Sequence, residues 1–121
     1  MITRVARDQA VPKELPGRTW YTYVEPANSP ARNVTVGASV YAAGSRPAGH
    51  VHATQEETIY VASGRGRLVT PDATAELEPG VAVHIAPGTF HITEAGDDGP
   101  LELICFFSPP VVPGSYEAAP A

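Results

Sequence analysis

The sequence predicts an all-β fold, a sandwich or barrel of about eight or more short antiparallel strands with little helix. Three observations carry this. Thirteen prolines and 11 glycines punctuate 121 residues that are 43% hydrophobic, a pattern of turns between apolar strands rather than of disorder. Short β-branched and aromatic segments recur at roughly 8–12-residue spacing. No stretch carries the 3.6-residue period of an amphipathic helix of about ten residues or more. The length suits one domain.

The elements follow in order. Residues 1–18 read as a mostly irregular lead-in, broken by Pro12, Pro16 and Gly17. Trp20 to Val24 is aromatic and β-branched, and Pro26 ends it. Asn33 to Ala42 alternates, with Val34, Val36, Ala38 and Val40 on one face. Ala48 to His52 follows a turn at Gly44 and Pro47, and residues 53–56 allow a short turn. Glu57 to Ser63 is closed by Gly64, and Arg65 to Thr70 is expected to return as the second arm of a hairpin. Thr74 to Leu77 lies between turns at Pro71-Asp72 and Pro79-Gly80. Val81 to Ala86 ends at Pro87-Gly88, and Thr89 to Thr93 follows. The loop Gly96 to Pro100 leads into a core strand, Leu101 to Phe107, which Pro109-Pro110 terminates. The barrel is thus expected over 19–110, with a Pro- and Ala-rich tail at 111–121.

Composition excludes several partners. The formal net charge is −5, and Lys13 is the single lysine, which argues against nucleic acid and anionic membrane. No run approaches the ~18 apolar residues of a membrane span. The first residues carry no apolar secretory core, and one cysteine, Cys105, cannot close an internal disulfide. A cytoplasmic protein is the expectation. Cys105, within an apolar segment, reads as a buried small residue rather than a reactive thiol.

The chemistry concentrates in histidines. His50 and His52 are spaced i, i+2, so a strand puts both imidazoles on one face. Glu57 opens the next strand, and His91 follows the Pro87-Gly88 turn. Three imidazoles and one carboxylate are good ligands for a borderline metal if they converge. Glu56 competes with Glu57, but Glu57 shares a face with Ile59 and Val61, which look core-facing. His84 lies between Val83 and Ile85 and points away from their face.

The spacing Gly44-x5-His50-Val51-His52-x4-Glu57-x6-Gly64 resembles the first motif of the cupin superfamily. Gly80-x5-Ala86-Pro87-Gly88-Thr89-Phe90-His91 resembles the second. Ala86 stands where the second motif has its first proline, Val81 where an aspartate often follows the glycine, and Ala95 where the motif ends in asparagine. None of these departures removes a ligand.

The resemblance implies a double-stranded β-helix, or jelly roll, of the small single-domain metal-binding kind. It implies that His50, His52, Glu57 and His91 point inward and hold one divalent ion per chain. Fe(II) or Mn(II) is favoured, with Ni, Cu or Zn as further choices. Four protein ligands on an octahedral ion leave positions for a small oxygen-bearing substrate. An oxygenase-type enzyme is the leading expectation. A non-oxidative lyase, isomerase or cyclase, or a binding module without turnover, are the others. Tyr60 and Glu56 are the weak candidates for proton transfer. Tyr41, Phe90, Phe106 and Gln55 are candidates for the pocket, and Arg65 and Arg67 for steering an anion. A homodimer exchanging terminal strands is expected, with Trp20–Val24 and the tail around Tyr116 as the exchanged pieces.

Overall fold

The computed structural model describes residues 1–111 and the backbone of 117–118. A short 3-10 turn at Arg7–Gln9 precedes strands β1 (Val11–Leu15), β2 (Arg18–Val24), β3 (Thr35–Tyr41), β4 (His50–Val51), β5 (Glu56–Ser63) and β6 (Gly66–Val69). Then come β7 (Thr74–Leu77), β8 (Ala82–Ile85), β9 (Ile92–Ala95), β10 (Leu101–Ser108) and β11 (Glu117–Ala118). A six-stranded sheet runs β1-β2-β3-β10-β5-β8, a three-stranded sheet β7-β6-β9, and β4 pairs with β11. Every pairing is antiparallel. This is the all-β jelly roll expected from the sequence.

The period of two decides what lies between the sheets. Along β5, Glu57, Ile59 and Val61 are buried while Glu56 and Tyr60 are exposed. Along β10, Leu101, Leu103, Cys105 and Phe107 are buried. Ile59, Val61 and the four buried β10 residues, with Trp20, Tyr41, Leu68, Leu77 and Ile85, form one continuous apolar core. Trp20 stacks at a tilt on Phe107, their ring centroids 5.9 Å apart. Gly37 on β3 makes room for that indole, because a Cβ there would fall on the Trp20 ring.

Three expectations are corrected. The lead-in contains a strand: β1 pairs with β2, Lys13 opposite Trp20, around a turn at Gly17. Its polar composition concealed it, since a strand at the edge of the sheet, as β1 is among the described residues, needs little apolar surface and tolerates Pro12. Second, Gly64 does not turn a hairpin. β5 is flanked on both sides, by β10 and β8, and β6 pairs with β7 and β9 in the other sheet. Gly64, at φ +85°, is the corner where the chain changes sheets, and a Cβ there would collide with the Pro100 carbonyl. Third, β9 begins at Ile92, so His91 is not inside a strand; it forms an isolated bridge with His50.

The alternation on β3 also carries a lesson for the site. Val36 and Val40 occupy the outer face, and Thr35, Ser39 and Tyr41 turn inward. The barrel wall there is polar, although the sequence advertises its valines.

Candidate metal centre

Three segments deliver the four side chains of one cluster. His50 lies in β4 and His52 one residue beyond it, so the period of two gives both imidazoles the same direction. Glu57 is the second residue of β5, on the inward face, opposite Phe107 of β10 and Ile85 of β8. His91 is locked to His50 by two backbone hydrogen bonds: His50 N donates to the His91 carbonyl and His91 N to the His50 carbonyl, each 3.0 Å. The Pro87-Gly88 turn is tied to the same place, Gly88 N donating to the His52 carbonyl at 2.8 Å.

One donor atom from each of His50, His52, Glu57 and His91 lies within 4.8 Å of every other. His52, Glu57 and His91 are buried, each at most 5% exposed, and His50 is half-buried. The His50 ring is steeply inclined to both others, with centroids 4.9 Å from His52 and 4.5 Å from His91. His52 leans on the Phe107 ring at 5.0 Å. The His91 Nδ1 lies 2.9 Å from the Thr89 carbonyl. A carbonyl only accepts, so Nδ1 carries the proton and Nε2 faces the cluster with its lone pair.

That lone pair meets a carboxylate. Glu57 Oε1 sits 3.4 Å from His91 Nε2 and 3.3 Å from His52 Nε2. Both contacts are long for charge-assisted hydrogen bonds, which run about 2.7–2.9 Å, and Oε1 has no partner of hydrogen-bonding geometry. A buried carboxylate oxygen left this way is costly. A proton on His91 relieves it partly; a cation at the shared point relieves it fully. The donor set therefore fits a divalent ion, with borderline nitrogen donors and one hard oxygen.

The electrostatics agree. Burial pushes the His50 pKa down to about 3, and the neighbouring His91 and His52 add to the effect. Burial also opposes charge on Glu57, but contacts with His52 and His91 outweigh it and hold the carboxyl below its ordinary range. For His91, burial is outweighed by Glu57, so its pKa is raised. The cluster is thus built around one fixed negative charge.

Beside the cluster lies a narrow hollow, walled by Trp20, Tyr41 and Phe107 and lined with polar groups from Arg18, Ser39 and Thr93. It takes about one water-sized body. Larger hollows lie on the surface. One is lined by Arg46, Arg65, Arg67, Glu78 and Glu94, whose charges pair: Arg65 with Glu78 at 2.9 Å, Arg67 with Glu94 at 2.8 Å and Arg46 with Glu94 at 3.6 Å. Size favours the surface cleft, but chemistry favours the small hollow, where donor atoms converge instead of cancelling.

The other sequence candidates divide clearly. Tyr41 and Cys105 line the hollow, and burial raises both their pKa values. Tyr60 and Glu56 are corrected: both are exposed on the outer face of β5, opposite to Glu57, and Glu56 contacts His84 there at 2.9 Å. Neither reaches the cluster. Phe106 is likewise on the outer face. Gln55 donates to the Pro110 carbonyl at 3.4 Å. Arg65 and Arg67 belong to the surface cleft. Tyr116 lies outside the described residues. Sequence reading missed Arg18, the cation that does line the hollow; its i, i+2 relation to the buried Trp20 is the signal that finds it.

A family model described as the cupin domain matches residues 38–107. An uncharacterised protein of Methanocaldococcus jannaschii, MJ1618, is 34% identical over 67 residues, 55% of this chain and 54% of that protein. The match thus spans about half the length of that curated relative. Among solved structures, the polyketide cyclase RemF from Streptomyces resistomycificus superposes with a TM-score of 0.82 at 22% identity, over 100% of this chain and 87% of that one. The ectoine synthase from P. lautus gives 0.79 at 15% identity, over 93% and 80%. The Lactobacillus farciminis oxalate decarboxylase gives 0.83 at 16%, over 98% of this chain and 37% of that one. At these identities the likeness is one of fold.

Proposed function

The chain belongs to the cupin family, and from that premise we propose that it is a mononuclear metal-dependent enzyme whose centre is held by His50, His52, Glu57 and His91. The convergence of four donor atoms within 4.8 Å around a buried carboxylate carries this reading. When bound, a divalent ion there supplies Lewis-acid polarisation of a substrate oxygen and, in an oxidative version, redox chemistry with dioxygen as co-reactant. Fe(II) or Mn(II) suits a site of three imidazoles and one carboxylate.

The chain's own residues do the rest. Thr89 fixes the His91 tautomer, so that Nε2 is the donor. Trp20, Tyr41 and Phe107 wall the hollow beside the cluster and keep bulk water out of it.

The oxygenase-type reading competes with a non-oxidative one. A polyketide cyclase and an oxalate decarboxylase share the fold, and these names favour the non-oxidative version. Both readings share the site and differ in one co-reactant. The test is elemental analysis of protein purified without added metal or chelator, followed by turnover of a small-molecule panel with and without oxygen. About one Fe or Mn per chain and activity lost under anaerobic conditions support the oxygenase. Activity retained without oxygen supports the lyase, isomerase or cyclase. A protein that refuses divalent ions overturns the metalloenzyme reading and leaves a small-molecule-binding module.

We place the protein in the cytoplasm as a homodimer. No helix among the described residues is long and apolar enough to cross a membrane. Tyr60 and Phe106 are exposed on adjacent strands of the six-stranded sheet, an apolar face suited to a second copy. Light scattering that returns a concentration-independent monomer mass contradicts this.

A further inference from the structure

We infer that the slot between strands β7 and β8 is a second binding site, for an uncharged and mainly apolar organic molecule of one or two rings. The site is separate from the metal centre and does not depend on it.

β7 ends the three-stranded sheet and β8 ends the six-stranded sheet, so among the described residues each has a paired neighbour on one side only. Between them lies a hollow of about 360 Å³. That falls in the range of small-molecule sites, roughly 300–1,000 Å³. It exceeds twice the roughly 150 Å³ that holds one benzene. Leu68 and Ile85, both buried in the core, form the floor, with Ala75 and Val83 beside them. Thr70, Thr89 and His84 add hydrogen-bonding groups. No Asp, Glu, Lys or Arg lines this hollow, unlike the arginine–glutamate cleft. A charged ligand would lose hydration here with no counter-charge to replace it. A neutral one gains from the apolar floor.

Both walls are fixed without an occupant. On one side Thr70 N donates to the Ala73 carbonyl at 2.8 Å, and Ala73 N to the Thr70 hydroxyl at 3.1 Å. On the other, β8 is paired with β5. Beyond β8, Gly88 N donates to the His52 carbonyl at 2.8 Å and Thr89 N to the Ala86 carbonyl at 3.3 Å. A hollow held open in this way spares its ligand the cost of ordering the site. Ala73, Ala75 and Ala86 leave the volume free, because each side chain stops at Cβ. The departure from the second cupin motif at Ala86 thus falls on the slot. The wall also belongs to the metal centre's support: Ile85 lies opposite Glu57, and the Thr89 carbonyl accepts from His91. An occupant therefore rests against the segment that positions the cluster.

The test uses the full chain as purified, with 2-naphthol as the probe and 2-naphthoate as its charged counterpart. Calorimetry gives the affinities, and NMR shift changes give the location. 2-Naphthol is expected to bind saturably, about tenfold tighter than 2-naphthoate or more, with the shifts centred on Ala75, Val83 and Ala86. Ala75→Leu fills the slot and should weaken 2-naphthol by about tenfold or more. Ala86→Leu, at an exposed position, should do the same and carries the test where the first variant does not fold. Tyr60→Ser, on the outer face of β5, should leave the affinity unchanged. Unaltered affinity in either folded leucine variant, loss of affinity in Tyr60→Ser, or the absence of saturable binding overturns the inference. A smaller mass by light scattering in the leucine variants also overturns it, because the slot then seats a second copy of the chain. None of these readouts uses metal uptake, so failure of the metal reading leaves the test in place.

Discussion

Glu56 and Glu57 are neighbours on one strand, and each meets histidine, yet they do different things. Glu56 faces outward and touches His84 at 2.9 Å, with both side chains more than half exposed. Glu57 faces inward, almost fully buried, between His52 and His91 at 3.3 and 3.4 Å. The outer pair has the better hydrogen bond and the weaker consequence, since water screens it and competes for both partners. The inner carboxylate has poorer hydrogen bonds and a stronger field, and it lacks a partner that a metal would supply. Distance alone does not rank these two contacts; burial and convergence do.

The largest break in this comparison is on the inner side. Glu57→Gln, His52→Ala and His91→Ala should each weaken divalent metal binding by more than about a hundredfold, because each removes a ligand from the set. Calorimetric titration checks this. The core packing and turns lie elsewhere, so circular dichroism of these variants should stay that of the folded barrel. Metal retained at full affinity in any of them contradicts the ligand set.

The same inside-outside contrast continues two and three residues along β5. Ile59→Ala empties part of the core and should cost about 2–5 kcal/mol, read from urea unfolding. Tyr60→Ala removes an exposed ring and should stay within about 1 kcal/mol. Similar costs at the two positions would mean that the face assignment of β5 is wrong.

A pH series sharpens the comparison further. In the metal-free protein, His91 has its pKa raised above 6.5. It contributes stability that is present below that value and lost as pH rises through its folded value. His50, held at about 3, works the other way and costs stability as pH falls below 6.5. Metal binding needs neutral imidazoles. His50 is already neutral, and the proton that Glu57 helps His91 to hold competes with the metal. The rise in Tm caused by a fixed excess of metal should therefore grow from pH 5.5 to pH 8. At a hundred times the dissociation constant it corresponds to about 2.7 kcal/mol, and a thermal melt at each pH measures it. A metal-induced shift that shrinks as pH rises would contradict the assignment of His91.

The smallest effects belong to the outer pair. His84→Ala and Glu56→Gln should each change stability by no more than about 0.5 kcal/mol. Both should keep the full metal affinity, by the same titration. Loss of metal in His84→Ala would mean that β8 presents the opposite face.

This contrast also explains what was legible in the sequence. The cluster was legible through the two cupin-like motifs, whose resemblance implies His50, His52, Glu57 and His91; the i, i+2 spacing alone places only two imidazoles on one face. Glu57 was separable from Glu56 because it shares parity with Ile59 and Val61. Arg18 was hidden, because its direction depends on a strand that begins with it, and β1 was hidden by its polar residues. The role of Gly64 was hidden too. A left-handed glycine permits both a hairpin and a change of sheet, and only the competition for neighbours of β5 decides between them. Tyr60 and Glu56 were misjudged by proximity in sequence, which a strand converts into opposite faces.

The most direct measurement is anomalous diffraction from crystals of the protein grown with Mn(II). One strong peak should lie inside the barrel, about 2.0–2.3 Å from a nitrogen of each of His50, His52 and His91 and an oxygen of Glu57. A peak at the His84–Glu56 pair or in the arginine–glutamate cleft, with none at the inner cluster, would contradict the assignment of the metal centre.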